Sequence, residues 1–414
     1  MPLIERAYAT AATLATPLLR QMLRRRVARG KEVKSRLPER WGEDATPRPT
    51  GRLIWLHAAS VGEAVSLLPV LPLLAGAHVL LTTGTVTSAE IMARRLPELG
   101  LAARVTHRFV PLDVPGWVAR FLDHWRPDAA GFVESEIWPN MLFACRARHI
   151  PIILVNARLS PASATGWARA PGFARRSFAA FEAVLAQSAE DAARISALGG
   201  RHVSTPGNLK FAADPLPAAD ADVASLRASL GGRPVWVAAS THPGEEAMVV
   251  AAHRRIGLPG LLTIVVPRHP ERGADVAAEL SAPRRSQGAA PPPGGLWVVD
   301  TIGELGLCYR VAGIAFVGGS LVPHGGQNPL EAARLGCAVA VGPHTLNFTD
   351  VVGVLERAGA LARVSDADRL ADWVAAMIHA PERRAAMGEA GIAAARAHGD
   401  LPQVTADALL ALLR

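Results

Sequence analysis

Apolar residues along this chain gather into short unbroken runs, each followed by a longer stretch where apolar and polar positions recur every three or four residues. Residues 53–56, 79–81 and 261–266 are near-continuous hydrophobic runs of strand length. Such runs suit parallel strands buried on both faces better than an antiparallel sheet with one wet side. In the first half, LIWLHAAS leads through Val61-Gly62-Glu63 into an Ala/Leu-rich helix, and HVLLTTGT leads into TSAEIMARRL. AAGFVESE then leads into WPNMLFACRAR; PIILVN and AVLAQS follow, the latter entering EDAARISAL. Repeated strand–helix units of this length predict a parallel sheet with right-handed crossovers.

Between residues 207 and 232 the texture changes. The stretch FAADPLPAADADVASLRASLGG predicts a linker with a short helix. Alternation then restarts with PVWVAAS before EEAMVVAAHRRI and LLTIVVPRHP before ADVAAEL. LWVVD precedes IGELGLCYR, and IAFVGGS precedes NPLEAARL. Residues 282–295 predict a surface loop, and the Ala-rich tail from 367 predicts two or three closing helices. At 414 residues the chain is too long for one ordinary core. The pattern therefore predicts an α/β protein with two Rossmann-like domains. A helical segment covers 1–40, a first domain 41–210, a linker 211–232, a second domain 233–395 and a last helix 396–414. Ligands of such sheets bind at the carboxyl ends of the strands, so the crevice between two such domains is the expected site.

Charge changes this picture at one end. The net charge is +8, and residues 1–40 hold ten Lys and Arg against three Glu. A nucleic-acid enzyme spreads its basic residues along a working cleft, so nucleic acid is not the expected partner. Residues 7–19, AYATAATLATPLL, are mostly apolar and stop at the basic cluster. They fall short of the roughly 20 residues that span a bilayer, and Pro17 interrupts them. A secretory signal carries its positive charge ahead of the apolar core, whereas here the arginines follow it. Basic residues beside an apolar segment favour an anionic cytoplasmic leaflet. The segment reads as a monotopic anchor at the inner-membrane interface, the alternative being an amphipathic helix packed on the protein with solvated arginines. Cys145, Cys308 and Cys337 lack metal-type spacing and read as core residues in a reducing compartment.

Several strand ends carry residues suited to chemistry. Glu63, in the first turn of a helix, is stabilised as an anion there and could serve as a general base. By position alone it is more simply a carboxylate that stabilises its helix. Glu134 and Glu136, one residue apart at a strand end, need a cationic partner or a raised pKa if desolvated. They could equally cap the helix that Pro139 opens. Lys210 lies just before the linker, where it could meet charge on a phosphate leaving group or simply be solvated. In the second half, Pro267-Arg268-His269 ends an apolar strand, and Arg suits a phosphate. Asp300 to Glu304 opens another helix, including Ile302 and Gly303. Gly318-Gly319-Ser320 and then Asn328-Pro329-Leu330-Glu331 supply a glycine loop, a helix start and a carboxylate for ribose hydroxyls. Asp220 and Asp222 have D-x-D spacing but sit in the linker, and His242 with Glu245 lacks a third zinc ligand, so no metal site is expected.

Read together, HAASVGE, TTGTVTSAE, ESEIWPN, NARLS, GNLKF, STHPGEE, VPRHPER, DTIGEL, FVGGSLVPHGGQNPLEAA and GPHTLNF, with RWGE at 40–43, resemble the Kdo transferase family. The resemblance implies a GT-B fold, two Rossmann-like domains with parallel sheets facing across a cleft. It implies inverting transfer of Kdo from CMP-Kdo to a lipid A precursor such as lipid IVA, with no metal and no cofactor, at the cytoplasmic face of the inner membrane. On matching motifs it makes Glu63 the general base, and Glu134 and Lys210 transition-state stabilisers. Pro267, Arg268, Ile302, Gly303, Glu304, Asn328, Pro329, Leu330 and Glu331 become CMP contacts, while Gln327 stays unassigned. The competing readings are another GT-B enzyme using a UDP-sugar, and a non-catalytic nucleotide-binding membrane protein.

Overall fold

The structure, a computed structural model, describes residues 2–212, 215–397 and 400–413. Of the expected linker, Ala213 and Asp214 lie outside the described residues, as do Met1, His398, Gly399 and Arg414 in the terminal segments. The chain divides into two compact units, Met1–Ala213 with His398–Arg414, and Asp214–Ala397.

The first unit is built on seven parallel strands, β1 (Leu53–Ala58), β2 (His78–Thr83), β3 (Val105–Phe109), β4 (Ala129–Val133), β5 (Ile152–Ala157), β6 (Ala183–Ala186) and β7 (Val203–Ser204). Their order across the sheet is β3-β2-β1-β4-β5-β6-β7. β1, β4 and β5 are buried along their whole length, which is what their unbroken apolar runs require. Trp55, Phe121 and Phe132 pack on one face, with Trp55 and Phe132 edge-to-face at 5.0 Å. Leu56, Leu67 and Met92 fill the other. The pattern of apolar runs passed over β3, because Thr106, His107 and Arg108 face a less buried sheet edge and break the run. Gly131 in β4 has a topological reason. A Cβ there would lie 2.8 Å from Leu56 Cδ2 and 3.0 Å from Leu409 Cδ2, so the missing side chain admits the last helix, Leu401–Ala411, onto the sheet of the first unit.

Near the start of the chain, Arg40 and Glu32 are each 3 % exposed at their side chains. The Arg40 guanidinium donates to both Glu32 oxygens, at 3.2 and 3.1 Å, and to the carbonyls of Val110 and Gly84. Arg40 thereby ties the N-terminal segment to the ends of β2 and β3. Arg40→Met leaves the buried Glu32 carboxylate to the more exposed Arg26, 3.1 Å away, and loss of one partner from a buried pair costs about 3–5 kcal/mol at most. A drop in melting temperature of several degrees is expected by calorimetry, with Glu32→Gln in the same chain recovering part of it.

The apolar segment near the N terminus forms two helices, Leu3–Leu14 and Thr16–Ala28, and the break at Ala15 is where Pro17 opens the second. The first is docked rather than free. Glu5 is buried and pairs with Arg176, and the Tyr8 hydroxyl donates to Asp113 at 3.0 Å. Asp113 also accepts from the amides of Asn140 and Met141, capping the helix Pro139–Ala147. Burial pushes the Asp113 carboxyl up to about 6, against the pull of those hydrogen bonds. A carboxyl raised on folding contributes stability that is complete below its unfolded value and fades as pH rises through about 6. The stability difference between wild type and Asp113→Asn should therefore vary between pH 4 and 6 and level off above, read from melting curves across that range. The outer face of both helices leaves Leu3, Leu14 and Leu18 at least 70 % exposed, beside Arg20, Arg24 and Arg25.

The second unit holds six parallel strands, β8 (Val235–Thr241), β9 (Leu262–Pro267), β10 (Gly295–Val298), β11 (Ile314–Val317), β12 (Ala338–Val341) and β13 (Leu361–Arg363). Their order is β10-β9-β8-β11-β12-β13. Trp236, Val265 and Phe316 centre its core. Within the stretch expected to link the domains stands a helix, Asp220–Leu230, whose first turn carries the D-x-D pair. The tail forms helices Ala367–His379, Pro381–Arg396 and Leu401–Ala411.

Candidate active site

In the first unit, the carboxyl ends of neighbouring strands β1 and β4 bring acidic residues together. Ser60 caps the helix Val61–Leu67, its hydroxyl oxygen accepting from the Glu63 amide. The Glu63 carboxylate turns back and accepts from the Ser60 hydroxyl at 2.7 Å and from the Ala59 amide at 2.8 Å. This is close to a capping box, with the carboxylate reaching the amide one residue before the cap, so Glu63 also stabilises its helix. The same geometry fixes the carboxylate in place. Burial raises its pKa, the Ser60 hydroxyl lowers it, and the negative charge of Glu134 raises it again, with a net upward shift.

Glu134 stands at the end of β4 with φ of 54°. A left-handed conformation in a residue with a side chain costs on the order of 1–3 kcal/mol and marks sites where the position matters. Its Oε1 sits 2.7 Å from Lys210 Nζ. The two carboxylates one residue apart are thus each given a separate partner. Glu136 takes His57, whose Nε2 lies 3.1 Å from its Oε2, and the Trp138 indole, which donates at 2.5 Å. Burial pushes the Glu136 carboxyl up, but the hydrogen bond and charge of His57 outweigh it and hold it below the usual range.

Lys210 reaches this point along Gly62, where a Cβ would lie 3.9 Å from its Cε. Its backbone is held by a small amide network. The Leu209 amide donates to Asn156 Oδ1 at 2.9 Å, the Lys210 amide donates to Asn208 Oδ1 at 3.0 Å, and the Asn208 side chain donates to Gln187 at 3.0 Å. Glu63, Glu134 and Lys210 therefore form one cluster. His57, Asn156, Gln187 and Asn208 position it, and pattern reading passed over them. One signal was available, namely the lone histidine in an otherwise apolar strand, buried to 1 % exposure. The amides offered none, because their partners are distant in sequence.

In the second unit the expected nucleotide residues occupy the carboxyl ends of β9, β10 and β11. Arg268, just past Pro267, donates from Nε to Gln327 Oε1 at 3.2 Å. Gln327 in turn lies 3.0 Å from His242 Nε2, and the His242 ring packs on His324 with centroids 3.9 Å apart. Burial, then the neighbouring His324, His269 and Arg268, bring the His242 pKa down to about 4, so its ring is neutral at physiological pH. Asn328 Oδ1 accepts from the Leu330 amide, and Asn328 Nδ2 is 3.4 Å from Glu331 Oε1. Pro329 caps the short helix Leu330–Arg334. Burial raises the Glu331 carboxyl, against Asn328 and the positive charge of Arg268. Arg268 and Glu331 thus share one neighbourhood, with Gln327 joining it.

Two expected features are already occupied by the chain itself. In the glycine loop, the amides of Gly319 and Ser320, with that of Leu321, are taken by the buried Glu245 carboxylate, which accepts all three, at 2.6, 3.0 and 2.9 Å. Glu304 is also engaged. Arg285 donates to both of its oxygens, and Thr301 donates as well, so the carboxyl lies below its usual range. What residues 302–304 present outward is Ile302, 80 % exposed, and the backbone at Gly303 with φ of 92°. Among the described residues, no hydrogen bond joins this segment to Arg268 or Glu331.

The family profile described as 3-Deoxy-D-manno-octulosonic-acid transferase (kdotransferase) matches residues 35–213. A 3-deoxy-D-manno-octulosonic acid transferase of Bordetella pertussis is 37% identical over 422 residues, covering 97% of this chain and 98% of that one. The chain belongs to the 3-deoxy-D-manno-octulosonic acid transferase family. A second Kdo transferase, from Haemophilus influenzae, is 33% identical and covers 93% of each chain. The crystal structure of a UDP-GlcNAc 2-epimerase from Neisseria meningitidis shares the fold at a TM-score of 0.58 and 14% identity, covering 87% of this chain and all of that one. The Kdo transferase chain is accordingly a glycosyltransferase of GT-B type with two Rossmann-like α/β units. Among its described residues, no helix is long and apolar enough to cross a membrane. No group of three or more His, Cys, Asp or Glu among them is placed to hold a metal ion.

Proposed function

We propose that this Kdo transferase moves Kdo from CMP-Kdo to a hydroxyl of a lipid A precursor such as lipid IVA, with inversion at the anomeric carbon, in lipopolysaccharide biosynthesis. The observation that carries the reading is the fixed, burial-raised Glu63 carboxylate beside the Lys210–Glu134 pair. In such a displacement the acceptor oxygen bonds to the anomeric carbon as the bond from that carbon to the phosphate oxygen breaks. Glu63 takes the hydroxyl proton, and CMP leaves with the bonding pair. Lys210 and Glu134 stabilise the transition state, Lys210 as a cation facing developing negative charge. Pro267, Arg268, the backbone of residues 302–304 and residues 328–331 hold CMP, with Arg268 suited to its phosphate. Charge on the leaving phosphate is met by side chains and amides, without a metal.

A lipid acceptor calls for an enzyme at the membrane surface. The exposed leucines of the first two helices and the arginines beside them suit monotopic attachment to an anionic leaflet, the cytoplasmic face of the inner membrane. The deciding experiment is incubation with CMP-Kdo and lipid IVA, in EDTA, followed by mass spectrometry. A product heavier by one or more Kdo residues supports the reading. Product only with UDP-hexoses, or none with any donor, overturns it.

A further inference from the structure

A cavity of about 570 Å³ opens in the second unit at the amino ends of β8 and β11, the side of the sheet away from Arg268 and Glu331. Arg227, Arg233, Arg310, Arg384 and His379 line it, and among the described residues its walls carry no carboxylate. Three of the five basic groups are accounted for by backbone carbonyls, two of them in the last turns of helices. Arg310 donates to the carbonyls of Leu216 and Gly306 at 2.6 and 3.0 Å, Arg227 to that of Arg310 at 2.8 Å, and His379 lies 2.8 Å from that of Ala375.

Two are not explained this way. Nε and Nη2 of Arg233 are buried and have no hydrogen-bond partner among the described residues. Arg384 makes no side-chain hydrogen bond or ion pair to any described residue. Buried donors on a guanidinium are rarely left unmet, because each forgoes water without replacement. Guanidinium groups lining a cavity whose described walls carry no carboxylate match a phosphate, which such a planar fork can bind through two parallel bonds. Leu258 and Ile378 add apolar wall, and the volume suits a small organic molecule rather than a bare ion.

We propose that this cavity is a second anion site, separate from the CMP-Kdo residues, that binds a phosphate group through Arg233 and Arg384. The phosphate belongs either to a soluble metabolite or to a lipid headgroup. The test is calorimetric titration of the full chain, saturated with CMP, using pyrophosphate in one arm and dihexanoyl phosphatidic acid in the other. One saturable binding event is expected, weakened about tenfold or more in Arg233→Gln and in Arg384→Gln, the loss of one charge-assisted bond. Arg384 lies on the surface helix Pro381–Arg396, so its replacement keeps the test available should Arg233→Gln misfold. Tighter binding of phosphatidic acid assigns a lipid headgroup, and tighter binding of pyrophosphate assigns a soluble phosphate. No binding event in the wild type, or undiminished affinity in Arg384→Gln, overturns the site.

Discussion

Glu63→Gln is expected to lower turnover by about 10²–10⁴-fold, the usual worth of a general base, while CMP affinity stays at the wild-type level. The difficulty is that Glu63 also caps its helix, accepting from Ser60 and Ala59. A glutamine keeps one acceptor oxygen and loses the other, so a modest stability loss of about 1 kcal/mol accompanies the change. Ser60→Ala separates the two roles. It removes the cap hydroxyl and leaves the carboxylate held by the Ala59 amide, so it should lower the melting temperature and shift the pH profile upward, yet retain far more activity than Glu63→Gln. The pH profile gives an independent reading. A base works only when deprotonated, and burial with the charge of Glu134 raises Glu63. The rate should therefore climb with pH through that raised value, and the climb should be missing in Glu63→Gln. Turnover surviving in the glutamine variant would end the assignment.

Lys210→Met should abolish measurable transfer and also destabilise the first unit. The methionine fills much the same space, but it leaves Glu134, 13 % exposed, facing Glu63 and Glu136 without its cation. Loss of one partner from a partly buried pair costs about 1–3 kcal/mol. The double variant Lys210→Met with Glu134→Gln distinguishes structure from catalysis, because it removes the stranded charge. Melting temperature should recover in the double variant, whereas activity should not. Recovery of both would reduce the pair to a structural ion pair.

How much of this was legible in the residues themselves follows from what each feature depends on. Buried parallel strands must be apolar on both faces, so β1, β2 and β9 announced themselves as near-continuous runs, and β4, β5 and β8 as apolar segments each leading into a helix. β3 did not, because an edge strand can carry Thr106, His107 and Arg108. Strand ends were equally readable, since a charged residue between a buried strand and a helix stands out locally. Local pattern alone therefore places Glu63, Glu134 and Arg268 at the carboxyl edges of their sheets.

Pairing was not readable, because it depends on the order of strands. That β1 lies against β4 is what sets His57 beside Glu136 and Glu63 near Glu134. The amide network under Lys210 joins residues up to 53 positions apart, a closure no local pattern encodes. Residues 318–321 show the same limit. The glycine loop after β11 is legible in sequence, but that Glu245, 74 residues earlier in the chain, occupies its amides is not. Sequence alone thus determined the α/β class, the family and the candidate residues, since these rest on local periodicity and motif. Tertiary structure alone decided which of them meet, which are already spoken for and which carry a shifted charge, because hydrogen bonds and Coulomb forces act through space and not along the chain.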